Sequence, residues 1–430
     1  MIIRWLVDCR EEFFKNLEIF SPSTLKLRNV SNYSLGEFFN SNEKLVELVI
    51  DNCDKPHFNN PSTLNSLKSL TLLHSAWNIL NLFPLCKNIQ EIIISEPPES
   101  CPNPENDKIY LTALMTGQEK LETLIIDSYF PLDYNVVTDA KYNLKQLSVY
   151  ILGFGDNCVK LSACLLQIMK KHKNTLDNLE LIVNDLCENF MEFIMKNLKV
   201  RRLFITAALL PKKYQIYEKI QPNLHLKKLV ITNDSTNSAA LQGLIRTYPT
   251  IESLIILRYL WPISFNEAFM GIFSTLKSLK LLQIPSLTLD TPVTPMPSLR
   301  TFKVDFLDFS NFLGFSLNIL SIEHLAVKSF KKRVDLSIEN IEIMASRLSQ
   351  LRHIKFGQHF KLTTAILNVF SRNCPQLRLI EMINKKPRSD NVTHDKIQVV
   401  YFAKCFTGQL FKEEKTLWNK TCADLCFLTI

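Results

Sequence analysis

The sequence predicts an α/β fold in which short parallel strands alternate with helices and stack one repeat at a time. Two observations predict it. The stretch from Leu45 to Cys53, L-V-E-L-V-I-D-N-C, sets apolar residues at Leu45, Leu48 and Ile50 and a small one at Cys53. The same spacing then recurs along most of the 430 residues, with amphipathic segments of helical period between the copies. Leu48 and Ile50 are two apart, so on a strand they share a face. Leu45 joins that core from the turn before the strand, and Glu47, Val49 and Asp51 face the other way. So short a strand cannot bury its own apolar side, and neighbouring copies must stack.

In chain order the copies begin at Leu45, Leu67, Ile89, Leu121, Leu144, Leu176, Val200, Leu226, Ile251, Leu276, Leu299, Ile322, Leu351 and Leu377. A degenerate first copy runs from Pro22 to Val30 with only Leu25 and Leu27 in place. About 15 units with a mean period of about 25 residues match the L-x-x-L-x-L-x-x-[N/C] spacing of a leucine-rich repeat. Cys53 takes the position that Asn often fills, as a small buried group whose polar edge meets turn amides. The expected architecture is a right-handed, ribonuclease-inhibitor-like horseshoe solenoid, with the parallel sheet on its concave face and helices outside.

The segments between strands support the alternation. Ala76 to Lys87, Leu161 to Lys171, Leu186 to Leu198, Thr236 to Tyr248, Ser264 to Ser274, Ile338 to Ser349 and Thr363 to Asn373 each carry the helical period. The connector from Ile284 to Pro297 holds four prolines, so an extended edge is expected there. Two gaps are long. Ser95 to Lys120 opens with E-P-P-E-S-C-P-N-P-E before a helix at Ile109 to Met115, and Leu152 to Thr175 carries G-F-G-D-N-C before its helix. Loops that project from a rigid scaffold either carry contacts or are tolerated insertions. The domain plan is an N-terminal cap at 1–21, a solenoid at 22–383 and a C-terminal cap and tail at 384–430, in which Gln398 to Phe402 is strand-like and which has room for one more degenerate repeat. Arg4-Trp5-Leu6 and the Phe13-Phe14 pair read as a helix end followed by an aromatic anchor.

Composition narrows the class. Apolar residues make up 46% and the formal charge is +8, which argues against disorder. No apolar run approaches the eighteen or so residues of a membrane span. The opening M-I-I-R-W-L-V-D-C-R-E-E lacks a cleavage site for secretion. Eleven cysteines without regular spacing read as buried thiols of a reducing compartment rather than a disulfide framework. A cytoplasmic location is expected, and the clusters Lys331-Lys332-Arg333 and Lys385-Lys386-Pro387-Arg388 extend it to the nucleus. Neither membrane nor nucleic-acid binding is expected, because no aromatic residues interleave with the basic ones.

Nothing points to catalysis. The chain has no H-E-x-x-H, P-loop or G-x-S-x-G, and G-F-G-D-N-C lacks the third glycine of a dinucleotide loop. His353 and His359 flank one strand and read as solvated, and Cys422-x-x-x-Cys426 has no second ligand pair. No enzyme activity, cofactor or metal is expected.

The binding candidates lie on outward strand positions. Their middle row reads Val49, Thr71, Ile93, Ile125, Ser148, Ile182, Phe204, Val230 and Ile255, then Lys280 and Lys303. An apolar stripe with a basic continuation fits a groove for a protein segment, though β-branched residues also favour strands wherever they sit. Beside it, Glu47, Asp51, Glu91, Asp127 and Glu180 stand in early repeats and Arg202, Lys228, Lys280, Lys303, Lys328 and Lys355 in later ones. Such a surface would steer a partner of opposite polarity into register.

At Arg372-Asn373-Cys374-Pro375-Gln376-Leu377 the chain resembles the cysteine-containing class of leucine-rich repeats, which enters its strands through C-P-x-L. Tyr248-Pro249-Thr250-Ile251 and Met296-Pro297-Ser298-Leu299 are weaker versions, and Cys53 and Asn184 fit the later position. That class is most common in F-box/leucine-rich-repeat proteins, the substrate receptors of SCF-type cullin–RING ubiquitin ligases. The resemblance implies a protein substrate on the concave face, with the SCF adaptor and cullin as further partners. It also makes Trp5, Phe13 and Phe14 the remnant of an adaptor-binding F-box, since only about 20 residues precede the repeats where the family has roughly 45. Two readings stay open: a substrate receptor, or an F-box-less scaffold or inhibitor that binds a partner stoichiometrically.

Overall fold

The structure is a computed structural model. It describes residues 4–5, 23–28, 44–53, 64–75, 86–95, 109, 114–127, 141–151, 158–183, 188–206, 215–232, 238–257, 263–264, 272–282, 287–288, 295–307, 313, 316–330, 337–358, 360, 362–383 and 396–402. These fall into two compact units, 1–200 and 201–430.

In the first unit the strands are β1 (Arg4–Trp5), β2 (Thr24–Arg28), β3 (Glu47–Asp51), β4 (Ser69–Leu73), β5 (Glu91–Ser95), β6 (Thr123–Asp127), β7 (Gln146–Ile151) and β8 (Asn178–Val183). Each pairs in parallel with the next. From β2 onwards every strand coincides with a predicted repeat. The second unit continues with β9 (Arg202–Thr206), β10 (Lys228–Thr232), β11 (Ser253–Leu257), β12 (Ile263–Ser264), β13 (Ser278–Leu282) and β14 (Leu287–Thr288). It ends with β15 (Thr301–Leu307), β16 (His324–Phe330), β17 (His353–Gln358), β18 (Leu379–Ile383) and β19 (Gln398–Phe402). Its main sheet runs β9-β10-β11-β13-β15-β16-β17-β18-β19, again parallel throughout. The two-residue strands β12 and β14 pair separately. β14 is the extended stretch that the prolines of 284–297 predict.

The core follows the repeat. Leu45, Leu48 and Ile50 are all fully buried, as are Leu67, Leu70 and Leu72 one unit on, and Ile251, Leu254 and Ile256 in the second unit. Burying each such side chain is worth about 2 kcal/mol, but a single unit gains this only when its neighbours supply the other wall of the core.

The backbone locks the units at one fixed point. The carbonyl two residues ahead of each strand's first core residue accepts two N–H groups from the next copy. Val46 O takes those of Lys68 and Ser69, Lys68 O those of Gln90 and Glu91, and Glu252 O those of Lys277 and Ser278. A hydroxyl adds a second lock. The Ser or Thr just before the leading apolar residue donates back to the leading residue of the preceding unit: Ser66 to Leu45 O at 2.8 Å, Thr175 to Leu144 O at 2.8 Å and Thr275 to Ile251 O at 2.9 Å.

Helices span Cys158–His172, Glu188–Asn197, Ser238–Thr247, Ile338–Arg347 and Thr364–Asn373, within the segments whose period predicts them or a few residues beyond. The last is capped by the Thr363 hydroxyl, which accepts from the Ile366 N–H at 3.3 Å, and it buries Ile366, Leu367, Val369 and Phe370. Gly243 lies so close to the Tyr217 ring that a methyl group there would overlap it. Most of the predicted helix at Ala76 to Lys87 and of the one at Ser264 to Ser274 lies outside the described residues, but Lys87 is in a turn and Ser264 is in strand β12.

One expectation is corrected at the N-terminal end. Trp5 is not on a helix: Arg4–Trp5 is a strand, with Trp5 paired to Leu27. Gln398–Phe402, strand-like in sequence, is a strand that pairs with β18 over five positions. Phe13 and Phe14 lie outside the described residues, as do Asn184, His359, Cys422 and Cys426.

Candidate binding face

Parallel pairing without offset turns each strand position into a row across the sheet. In the first unit the middle row is Lys26, Val49, Thr71, Ile93, Ile125, Ser148 and Glu180. This corrects the sequence reading. Ser148 pairs with Glu180, and Ile182 pairs with Tyr150 in the next row of the same face. The Tyr150 hydroxyl donates to the Glu180 carboxylate, which ties the two rows together.

In the second unit the middle row is Phe204, Val230, Ile255, Lys280, Lys303, Ala326, Lys355 and Glu381. Phe204, Val230, Ile255, Lys280 and Lys303 are therefore neighbours in the order expected, and Lys355 belongs to this row rather than beside it. The row one step upstream reads Arg202, Lys228, Ser253, Ser278, Thr301, His324 and His353.

The apolar members offer little surface. Val49, Ile93, Ile125, Ile182 and Phe204 are each between 4% and 8% exposed, and Ile255 is 2% exposed. Val230, Lys280, Lys303 and Lys355 are half-buried. Contact on this face therefore falls mainly to polar and charged side chains.

Those side chains segregate by sign. In the first unit the strand positions carry Glu47, Asp51, Glu91, Asp127 and Glu180. Ser69 donates to the Glu91 carboxylate at 2.6 Å, and Arg28 stands 3.3 Å from Asp51. In the second unit cations outnumber carboxylates on the same rows and on the upstream edge. Glu252 lies between Lys227 at 3.3 Å and Lys277 at 2.7 Å. Glu323 lies between Arg300 at 3.4 Å and Arg352 at 3.5 Å. The two lysines hold the Glu252 carboxyl below its usual range, the hydrogen bond from Lys277 contributing most.

At the far end of this face Lys355 Nζ is 2.6 Å from one oxygen of Glu381, and His353 Nε2 is 3.3 Å from the other. Both contacts have the distances of ion pairs, without the alignment of full hydrogen bonds. His353 and then Lys355 hold the Glu381 carboxyl down to about 2, against the opposing effect of burial. His324 meets His353 edge to face at 5.9 Å, and its own protonation is pushed down, chiefly by burial. Nothing in the sequence pattern marks Glu381, because its role appears only when β17 and β18 come into register.

The turns after the strands form a second ordered edge. Asn52 and His74 adopt positive φ, at 52° and 46°, a conformation that Asn tolerates better than most residues. This lets the Cys53 N–H donate to Ser75 Oγ at 2.9 Å, while Ser75 Oγ donates to Leu73 O at 2.7 Å. Cys53 is fully buried and its thiol reaches Asp51 O at 3.4 Å, as the small-residue position requires. At the C-P-x-L site, the Cys374 thiol points at Ala345 O and Leu348 O at 3.4 and 3.5 Å, and its N–H closes the helix on Phe370 O at 2.8 Å. The bulkless, weakly polar thiol fills the gap between two successive repeats.

Among the described residues, no group of three His, Cys, Asp or Glu side chains could hold a metal ion, and no helix is long and apolar enough to cross a membrane. The strand register and the buried repeat positions define a leucine-rich-repeat protein of the α/β class. No family model matches the chain, and no curated protein does. Among solved structures, a chain in the crystal structure of the Rad7 and Elc1 complex in yeast is similar at 13% identity and a TM-score of 0.39, over 90% of this chain and 83% of that one.

Proposed function

We propose that this chain is a non-catalytic module that binds a protein across the strand faces of its repeats, and that it serves as the substrate-recognition subunit of an SCF-type cullin–RING ubiquitin ligase in the cytoplasm or nucleus. The observation that carries protein binding is the sorting of charge on the parallel strands of each unit. Acidic side chains dominate the rows of the first unit and basic ones those of the second, a pattern that selects a partner by electrostatic complementarity. The ligase assignment draws its support from the resemblance at Arg372 to Leu377. In that role the ubiquitin chemistry belongs to other subunits, and no cofactor or metal enters the mechanism.

One observation favours the second reading, a stoichiometric scaffold or inhibitor without a ligase. Trp5, which the F-box reading places at the end of a docking helix, instead sits on a strand paired with β2. Affinity purification of the chain from its native cells decides between the two. Co-purification of an SCF adaptor and a cullin supports the receptor. A stable protein partner without ligase subunits overturns the receptor and leaves the scaffold. No retained protein overturns both.

A further inference from the structure

We propose that the strand face of the first unit, from β5 to β8, is a docking surface for an extended protein segment with two basic side chains about four residues apart. The inference rests on the protein-binding reading above. The two fixed points of the surface are Glu91 and Glu180, both half-buried. Each is held by a hydroxyl instead of a cation. The Ser69 hydroxyl donates to the Glu91 carboxylate at 2.6 Å, and the Tyr150 hydroxyl donates to that of Glu180. Among the described residues, no Lys, Arg or His lies within ion-pair distance of either. Other carboxylates of the same unit have cations beside them, as Asp51 has Arg28 at 3.3 Å and Glu122 has Lys145 at 2.7 Å. A hydroxyl orients a carboxylate without neutralising it and leaves lone pairs for further donors. The group that satisfies both charge and lone pairs is an ammonium or guanidinium.

Register sets the spacing. β5 and β8 are three strand steps apart, and Glu180 falls in the row of Ile93, Ile125 and Ser148, one row on from Glu91. Steps of about 4.8 Å across the strands and about 6.7 Å along them put the two carboxylates about 16 Å apart. An extended chain covers about 13 Å between residues i and i+4, whose side chains point the same way. The flexible stems of Lys or Arg close the difference. Between the carboxylates Ile93 and Ile125 are almost covered and Ser148 is fully buried, so the floor is shallow and uncharged. Aliphatic stems lie along such a floor while their charged heads reach polar groups at its ends.

A second observation points to a polar occupant. Thr71 is 1% exposed and sits next to Ile93 on this face, and its hydroxyl has no hydrogen-bond partner. The side-chain oxygen of Asn178, two residues before Glu180 on the same face, has none either. A peptide carries the carbonyl that the first can donate to and the N–H that the second can accept. A nucleic acid brings charge of the same sign as the two carboxylates. One metal ion needs its oxygen ligands within about 2.6 Å, far closer than these two stand.

The test uses the full chain at low salt and a fluorescein-labelled peptide of about nine residues, Ser and Thr except for two lysines about four residues apart, followed by fluorescence anisotropy. Controls are the same peptide with Gln for both lysines, and one with its two lysines adjacent. The spaced-lysine peptide binds, the Gln peptide does not, and the adjacent-lysine peptide binds at least about threefold more weakly. The E91Q/E180Q variant, which keeps side-chain shape and whose fold is checked by circular dichroism, binds the spaced peptide at least about tenfold more weakly. E122Q, which removes a carboxylate already paired with Lys145, binds it as the wild type does. Absence of spaced-peptide binding, equal binding of either control peptide, binding undiminished in E91Q/E180Q, or an equal loss in E122Q overturns the proposal. The purification experiment separates this failure from that of the underlying reading. A protein partner that stays with the E91Q/E180Q chain overturns basic docking and leaves protein binding standing, whereas a wild-type chain that retains no protein removes both.

Discussion

Lys355 and Glu381 stand side by side on adjacent strands, 2.6 Å apart and both largely out of solvent. The Glu381 carboxyl titrates at about 2 rather than 4.5 because His353 and Lys355 favour its charged form. Its folded value lies below its unfolded one, so the stabilisation is complete above about pH 4.5 and is lost as pH falls towards 2. E381Q should cost about 1–3 kcal/mol at neutral pH, and the difference between variant and wild type should vanish by about pH 2. Urea unfolding at a series of pH values measures it. A cost that stays constant down to pH 2 would show that the charge of Glu381 is not what stabilises the pair.

A second pH dependence belongs to the first unit. His172 is almost fully buried, stacks parallel on Tyr142 with ring centres 6.0 Å apart, and accepts the Leu144 N–H through Nδ1 at 3.3 Å. Burial, reinforced by Lys171, lowers its pKa from 6.5 to about 4. The unfolded chain takes up a proton there before the folded one does, so stability falls as pH drops from 6.5 to 4 and levels off below. The full effect is about 3 kcal/mol. H172Q should lose stability at pH 7 yet show a smaller decline between pH 7 and 4 in the same unfolding experiment. An unchanged decline would place the acid sensitivity elsewhere.

The thiols make a chemical prediction. Cys53, Cys86 and Cys374 are buried and in the thiol form. Burial pushes the Cys86 thiol up to about 11 and the Cys374 thiol up to about 12, so almost no thiolate exists to react at about pH 8. Iodoacetamide should leave all three unmodified in the native chain and modify them in urea, as peptide mass mapping would report. Rapid native labelling of Cys374 would contradict its place between two repeats.

The strand cores were legible because their signal is local. Leu48 and Ile50, or Leu70 and Leu72, state their own face by being two apart, and every repeat restates it. Rows across the sheet are a property of pairs of strands, and there polarity misleads. Ile182 resembles Ile125 in character, but Glu180 shares its position between two core leucines, and backbone register follows position. The burial of the middle row was invisible for a related reason. An apolar residue on the outer face looks like an exposed contact until the strands on either side close over it. The back-bonding hydroxyls of Ser66, Thr175 and Thr275 were in plain view just before the leading leucines, a signal that an apolar pattern search passes over. Trp5 was misplaced because two residues hold too little pattern to distinguish a strand from a helix end.

Because the double acceptance by one carbonyl fixes each strand against the last, connector length never reaches the sheet. The 22-residue step from Leu67 to Ile89 and the longer step from Ile89 to Leu121 both advance the face by one strand. Distance along this molecule is thus counted in strands, in steps of about 4.8 Å. An extended peptide lying across them presents every second side chain, in steps of about 6.7 Å. The two scales work as a vernier and come back into phase after about seven strand steps, the span from Phe204 to Glu381. A partner laid straight across this face can match it fully only near the two ends of that span, so specificity should concentrate there and the middle should tolerate sequence change.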